Sequence, residues 1–171
     1  CREIVAEGSY SLMPDYNNAF TTSTANKNNA ESVFEVQYQE GANGFQGSFM
    51  YNFLPRPMTE VELKTLSGTS NPQPQTGEGN NVPTPDIIAA YEAGDLRKDA
   101  SIQMITCATT LWEGKTYPVI KKYVRTHALN GNHGMIWPIF RYSEVLLFLA
   151  EALNEQGKTS EAATFMNQVR K

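Results

Sequence analysis

Few residues in this 171-residue chain have the types and spacing for acid–base or metal chemistry. Glu144 and Glu151 stand seven positions apart on one helical pattern and share nearly the same face. A pair of carboxylates flanking one bond is the apparatus of glycoside hydrolysis. Seven helical positions, however, separate the two by about 10 Å along the axis. Their neighbours are packing residues, so a structural role is expected, with Glu151 bonded to a neighbouring helix. Arg141 and Glu144, three apart, are spaced to pair with each other. His127 and His133 bracket an Asn-Gly-Asn turn but have no third ligand at a suitable spacing, so no metal site is assigned. Cys1 and Cys107 form neither a disulfide framework nor a Cys-x-x-Cys pair. Gly-x-Ser-x-Gly, phosphate-loop and Rossmann signatures are absent from the sequence, and no catalytic residue is assigned.

Composition bounds the rest. With 40% hydrophobic and 19% charged residues, the chain has the make-up of an ordinary globular protein. A net charge of -4 without a basic run argues against nucleic acid as a partner. The longest apolar run, Val145 to Ala150, falls far short of the roughly 18 residues of a membrane span. A cysteine at position 1 raises the question of a lipid anchor. The residues after it read instead as a helix end, with Ile4 and Val5 apolar and Gly8 as its stop, so a trimmed start is expected.

The elements follow from periodicity and punctuation. After that helix end comes an Asn- and Thr-rich loop with room for a short helical turn. In Ser-Val-Phe-Glu-Val-Gln-Tyr-Gln, residues 32–39, Phe34, Val36 and Tyr38 alternate with polar residues, which predicts a half-buried strand. Residues 40–57 mix glycines with Phe45, Phe49, Tyr51 and Phe53, and residues 67–85 read as one long loop. Thr84 and Pro85 predict a helix start, with Ile87, Ile88 and Tyr91 on one face and Gly94 as the stop. Asp95 is placed to cap the turn that follows. Residues 103–110 and 117–124 have strand composition. Trp137, beside Pro138, is expected as a packing anchor.

The last 30 residues are the clearest. Tyr142, Leu146, Leu149 and Leu153 recur at helical spacing, and Val145 and Ala150 widen the stripe. Gly157 predicts the helix end, Ser160 the next cap, and Ala162, Phe165, Met166 and Val169 a second apolar face. Asp86, Asp95 and Glu161 stand at helix starts, where the macrodipole favours them. Residues 139–171 therefore read as a helical hairpin of the tetratricopeptide kind, a unit that needs neighbours to bury both faces.

This stretch, Phe-Arg-Tyr-Ser-Glu-Val-Leu-Leu-Phe-Leu-Ala-Glu-Ala-Leu-Asn-Glu and its Asn167, Val169 and Arg170, resembles the SusD/RagB-like outer-membrane lipoproteins of Bacteroidetes. Ser143 stands where that family usually has alanine. Residues 31–38, the segment Pro-Thr-Pro-Asp…Tyr-Glu-Ala-Gly-Asp-Leu-Arg at 83–97, and Lys121-Lys122-Tyr123 resemble further family stretches in the same order. The family's N-terminal anchor and its Glu-Arg-x-x-Glu-Leu segment have no counterpart, so residues 1–171 are expected to be a partial SusD/RagB-like domain.

The resemblance implies a mainly α fold of tetratricopeptide-like hairpins with long irregular loops and a few short strands. It implies a surface-exposed outer-membrane lipoprotein, lipid-anchored through a segment outside this chain. Such a protein captures oligosaccharide or polysaccharide and passes it to a TonB-dependent, SusC-like transporter, with no enzymatic step and no cofactor. The alternative is a helical-repeat scaffold that binds peptide or protein. Sugars offer apolar C–H faces to aromatic rings and hydroxyls to polar groups. On that basis Phe45, Phe49, Tyr51 and Trp112 are the candidate platforms, with Asn43, Asn52 and Arg56 as candidate hydroxyl partners. The competing reading of each aromatic is a core or loop anchor.

Overall fold

The computed structural model describes residues 1–20, 27–56, 58–74, 77–106 and 115–170. Its order is α1 (Arg2–Glu7), β1 (Ser32–Gln37), α2 (Glu60–Ser67), α3 (Pro85–Ala90), α4 (Leu96–Ser101), β2 (Ile102–Thr106), β3 (Thr116–Ile120), β4 (Ile136–Arg141), α5 (Tyr142–Glu155) and α6 (Thr159–Arg170). Short 3-10 turns at Tyr16–Ala19 and Phe49–Asn52 interrupt the loops. The fold is mainly helical with few short strands, as expected.

Helix ends carry the anticipated punctuation. Gly8 closes α1 and Gly157 closes α5, with φ of 72° and 74° that suit a residue without a Cβ. Two bonds tighten the α5–α6 turn, from Gly157 N to Asn154 O (2.9 Å) and from Lys158 N to Leu153 O (2.9 Å). Thr84 accepts from the Ile87 amide with Pro85 at the first turn, and Asp95 accepts from the Arg97 amide to start α4. α2 was not anticipated. Its signal was present in the sequence, because Thr59 and Glu62 form a reciprocal capping box and Gly68 ends the helix in the left-handed region.

The hairpin of α5 and α6 holds one core. Leu149, Ala150, Leu153 and Ala162 are buried together, while Tyr142, Val145 and Leu146 extend the cluster toward Val33, Ile4 and Val5. Three details depart from expectation. α6 starts at Thr159, so Ser160 lies inside the helix and does not cap it. Met166 is 47% exposed, because the buried side of α6 runs through Ala162, Phe165 and Val169. Glu151 is exposed on the outer side of α5.

A second core gathers Met50, Tyr51, Leu54, Met58, Leu63, Leu66, Val124 and Met135 from the aromatic-glycine segment, α2 and the approach to β4. Gly77 lets the loop after α2 lie against this core. A Cβ there would stand 2.6 Å from the carbonyl oxygens of both Leu54 and Pro55.

Two small antiparallel sheets complete the fold, β1 with β4 and β2 with β3. β4 was not anticipated, and Trp137 and Pro138 lie within it, opposite Val36 and Glu35. Among the described residues each sheet has two strands, so Pro118 and Pro138 sit in them without breaking an interior ladder. In β1 the expected faces are exchanged. Phe34 and Val36 are 57% and 41% exposed, while Val33 packs on the Tyr142 cluster. The two-residue period holds in the opposite phase, because the face that carries Val33 is the one that meets the Tyr142 cluster of α5. α3 ends at Ala90, before Gly94, and none of its residues is buried; Ile87 is 48% exposed.

Candidate binding cleft

The anticipated aromatic residues do not converge. Phe45 follows the bend at residues 41–44 and is 62% exposed. Phe49 is half-buried, its ring edge-on to His133 and Trp137 with centroids 4.5 and 4.8 Å away. Tyr51 belongs to the second core, and its hydroxyl lies 2.6 Å from His127 Nε2. That burial removes it from the platform expected of it. Arg56 is exposed, and Trp112 lies outside the described residues. None of Phe45, Phe49, Tyr51 and Arg56 lines either of the two clefts described below. Trp137 stacks on Tyr123 at 5.2 Å with an interplanar angle of 28°, the packing role expected of it.

The two histidines lie inside the fold. His127 and His133 stack edge-on at 5.9 Å, and both are buried. Burial, and then the neighbouring His127, pull the His133 pKa down to about 4. Its two ring nitrogens face the backbone amides of Met50 and Met135, each at 3.4 Å, so an added proton would point at a donor on either side. Among the described residues, no three His, Cys, Asp or Glu side chains gather as a metal site would require.

The concave surface lies elsewhere. A cleft of about 810 Å³ opens between the loop at residues 12–16, the turn before α4 and the end of α6, with the start of α5 at its floor. Three arginine–carboxylate pairs border it. Arg97 Nη2 meets Asp95 Oδ2 at 2.5 Å, Arg141 Nη1 meets Glu31 Oε1 at 2.7 Å, and Arg170 Nη2 meets Glu92 Oε1 at 2.8 Å. Arg97, which donates to Asp95, is the main cause holding that carboxyl at about 2. Arg141 was expected to pair with Glu144. It turns instead to Glu31, because β4 pairs with β1 and brings the start of β1 beside the end of β4. Glu31 is only 3% exposed; its second carboxylate oxygen accepts from the Met13 amide, and its carbonyl accepts from the Tyr142 amide.

A smaller cleft of about 320 Å³ shares Arg141, Ser143 and Leu147 with the larger one and runs on to Lys122 and Tyr123. Between the two, the buried Phe20 ring carries two cations, Lys122 Nζ at 4.3 Å and Arg141 Cζ at 4.9 Å from its centroid. The Arg125 guanidinium fastens this wall, donating to the carbonyls of Phe20 (2.6 Å), Lys121 (3.1 Å) and Val124 (3.3 Å). Burial pulls the Arg125 pKa down. Together the clefts supply fixed donors and acceptors and the half-buried rings of Tyr16 and Tyr123. Their volumes fall in the range typical of small-ligand sites.

Fold and cleft thus define a helical-hairpin protein with an open polar groove. Residues 107–171 match the SusD family. Over its whole length the chain is 25% identical to SusD-like protein P25 of Formosa agariphila, covering 99% of this chain and 36% of that protein. Its fold is similar to surface glycan-binding protein A from Bacteroides uniformis (TM-score 0.72, 22% identity, 99% of this chain and 35% of that one). The same holds for surface glycan-binding protein A from Bacteroides thetaiotaomicron in complex with laminarihexaose (TM-score 0.67, 20% identity, 98% and 40%). The chain is thus similar to SusD-like proteins, most directly over residues 107–171. It spans between a third and two fifths of the length of these relatives.

Proposed function

We propose that this chain is the part of a surface glycan-binding lipoprotein of the bacterial outer membrane that contacts oligosaccharide or polysaccharide. The full protein hands the bound glycan to a partner TonB-dependent transporter of the SusC kind. The observation that carries the reading is the cleft of about 810 Å³, whose polar rim is fixed by three arginine–carboxylate pairs around Tyr16. Glycan recognition needs this combination, because hydroxyls bond best to groups already held in place and a ring gives the apolar sugar face a surface to lie on. The likeness of the fold to a glycan-binding protein holding laminarihexaose supports it.

A binding role suits the paired carboxylates of this cleft. Glu31, Glu92 and Asp95 are each engaged by an arginine. Glycoside hydrolysis needs two carboxyl groups free to exchange protons across one bond. Phe45 and Arg56, both exposed, extend the contact surface to a long polysaccharide.

Affinity electrophoresis tests this directly. The folded chain, checked by circular dichroism, runs through native gels that each contain one polysaccharide, with a β-glucan of the laminarihexaose type among them. Retardation by at least one glycan is expected, along with its loss in Tyr16→Ala. Unchanged mobility on every glycan would refute the reading and leave peptide or protein capture in its place.

A further inference from the structure

Helix α5 starts without a side-chain cap. Arg141 occupies the cap position in extended backbone, and its guanidinium is turned to Glu31. The first amides of a helix have no intrahelical acceptors, and the helix dipole adds partial positive charge there. Over a helix of 14 residues this end is a favourable place for an anion.

A second, independent feature lies in the first turn. Ser143 is 6% exposed, and its hydroxyl oxygen is buried without a hydrogen-bond partner. Buried hydroxyls are seldom left unpaired, because each loses its bonds to water. Ser143 is a lining residue of both clefts, with its unsatisfied hydroxyl just beneath their shared wall.

A third feature is Lys122. Its ammonium lies over Phe20 and forms no ion pair among the described residues, whereas Arg97, Arg141 and Arg170 are each spent on a carboxylate. Lys122, Ser143 and the start of α5 border the same cleft of about 320 Å³, with Tyr123 and Ile139 as its less polar walls. Glu144 is the opposing charge at its edge.

We propose that this smaller cleft is a subsite for the anionic substituent of an acidic glycan, a carboxylate or a sulfate. The substituent accepts from the Lys122 ammonium and the Ser143 hydroxyl at the positive end of α5, and the sugar ring rests on Tyr123. The rest of the glycan continues past Arg141 into the larger cleft. This deepens the glycan-binding reading above and rests on it.

Titration calorimetry at low ionic strength, with matched ligand pairs, tests the subsite. One pair is polygalacturonate and its methyl ester; the other is a sulfated galactan and the same polymer desulfated. The acidic member of at least one pair should bind about tenfold more tightly, the worth of one charge-assisted hydrogen bond, and the pair that responds identifies the substituent. Lys122→Gln should remove that advantage and leave neutral binding in place. Ser143→Ala should weaken acidic binding without lowering the melting temperature, since the hydroxyl it removes has no partner. Glu144→Gln should strengthen acidic binding severalfold. Equal affinity within both pairs, or an equal loss on acidic and neutral ligands in Lys122→Gln, would overturn the subsite while the glycan reading stands. A folded chain that binds neither member of either pair overturns both.

Discussion

Acid should weaken this fold at one identifiable place. Burial and the adjacent His127 hold the His133 pKa at about 4, against 6.5 for an unconstrained imidazole. Above pH 6.5 the ring is neutral in both folded and unfolded chains, and the native contacts of His133 count in full. As pH falls below 6.5, the unfolded chain takes up a proton that the folded one refuses, so stability drops until the folded ring also titrates near 4. From one pKa unit per 1.36 kcal/mol, the loss is on the order of 2–3 kcal/mol at pH 4.5 and levels at roughly 3–4 kcal/mol below pH 4. In urea this is a fall of roughly 1 M in midpoint. Carboxylates also titrate at the acid end, so the comparison is with His133→Gln, which keeps an acceptor for one of the two flanking amides but carries no proton. The variant should be less stable at neutral pH, with a shallower decline between pH 6.5 and 4.5. If both proteins lose the same stability across that window, His133 is not held neutral by its surroundings and the reasoning fails.

Other perturbations probe the packing. Arg141→Met removes the partner of a carboxylate only 3% exposed and should cost about 3 kcal/mol, read by thermal unfolding; Glu31→Gln together with it should recover part of that loss. Gly77→Ala drives a Cβ to 2.6 Å from two backbone carbonyls that cannot yield like a side chain, so it should destabilise by about 1–3 kcal/mol. Leu146→Ala and Leu153→Ala, at 0% and 1% exposure, should each cost about 2–5 kcal/mol. Phe45→Ala, 62% exposed, should leave the melting temperature unchanged and alter only mobility in polysaccharide gels.

What could be read from the sequence was local. The stripe of Tyr142, Leu146, Leu149 and Leu153 sits in the core because a helix fixes its own faces within one or two turns. Gly8, Gly157, Thr84 and Asp95 act at helix ends for the same reason: a cap is decided by the residues beside it. α2 was equally legible through Thr59 and Glu62 and was hidden by the proline- and glycine-rich loop that follows it. The faces of β1 were harder, since alternation gives a period but not which phase is buried. Val33 and Phe34 have the same claim on the core, and the Tyr142 cluster of α5, which packs on Val33, decides between them.

The groove illustrates the opposite limit. Arg141 had an acidic neighbour at helical spacing and yet bonds Glu31, 110 positions away. Lys122 lies over Phe20, and Arg125 donates to the carbonyl of Phe20 and the side chain of Asn17, across more than 100 positions each. Each partnership exists only once segments far apart in the chain have come together. The aromatic-glycine segment drew attention because its residue types suit sugar binding, but the same apolar rings are what a core recruits first. Tyr51 went inward with its hydroxyl satisfied by His127, and Phe49 became a wall for His133 and Trp137. The polar residues of the groove are instead held by long-range contacts, and among the described residues the Ser143 hydroxyl has no hydrogen-bond partner and Lys122 no ion pair.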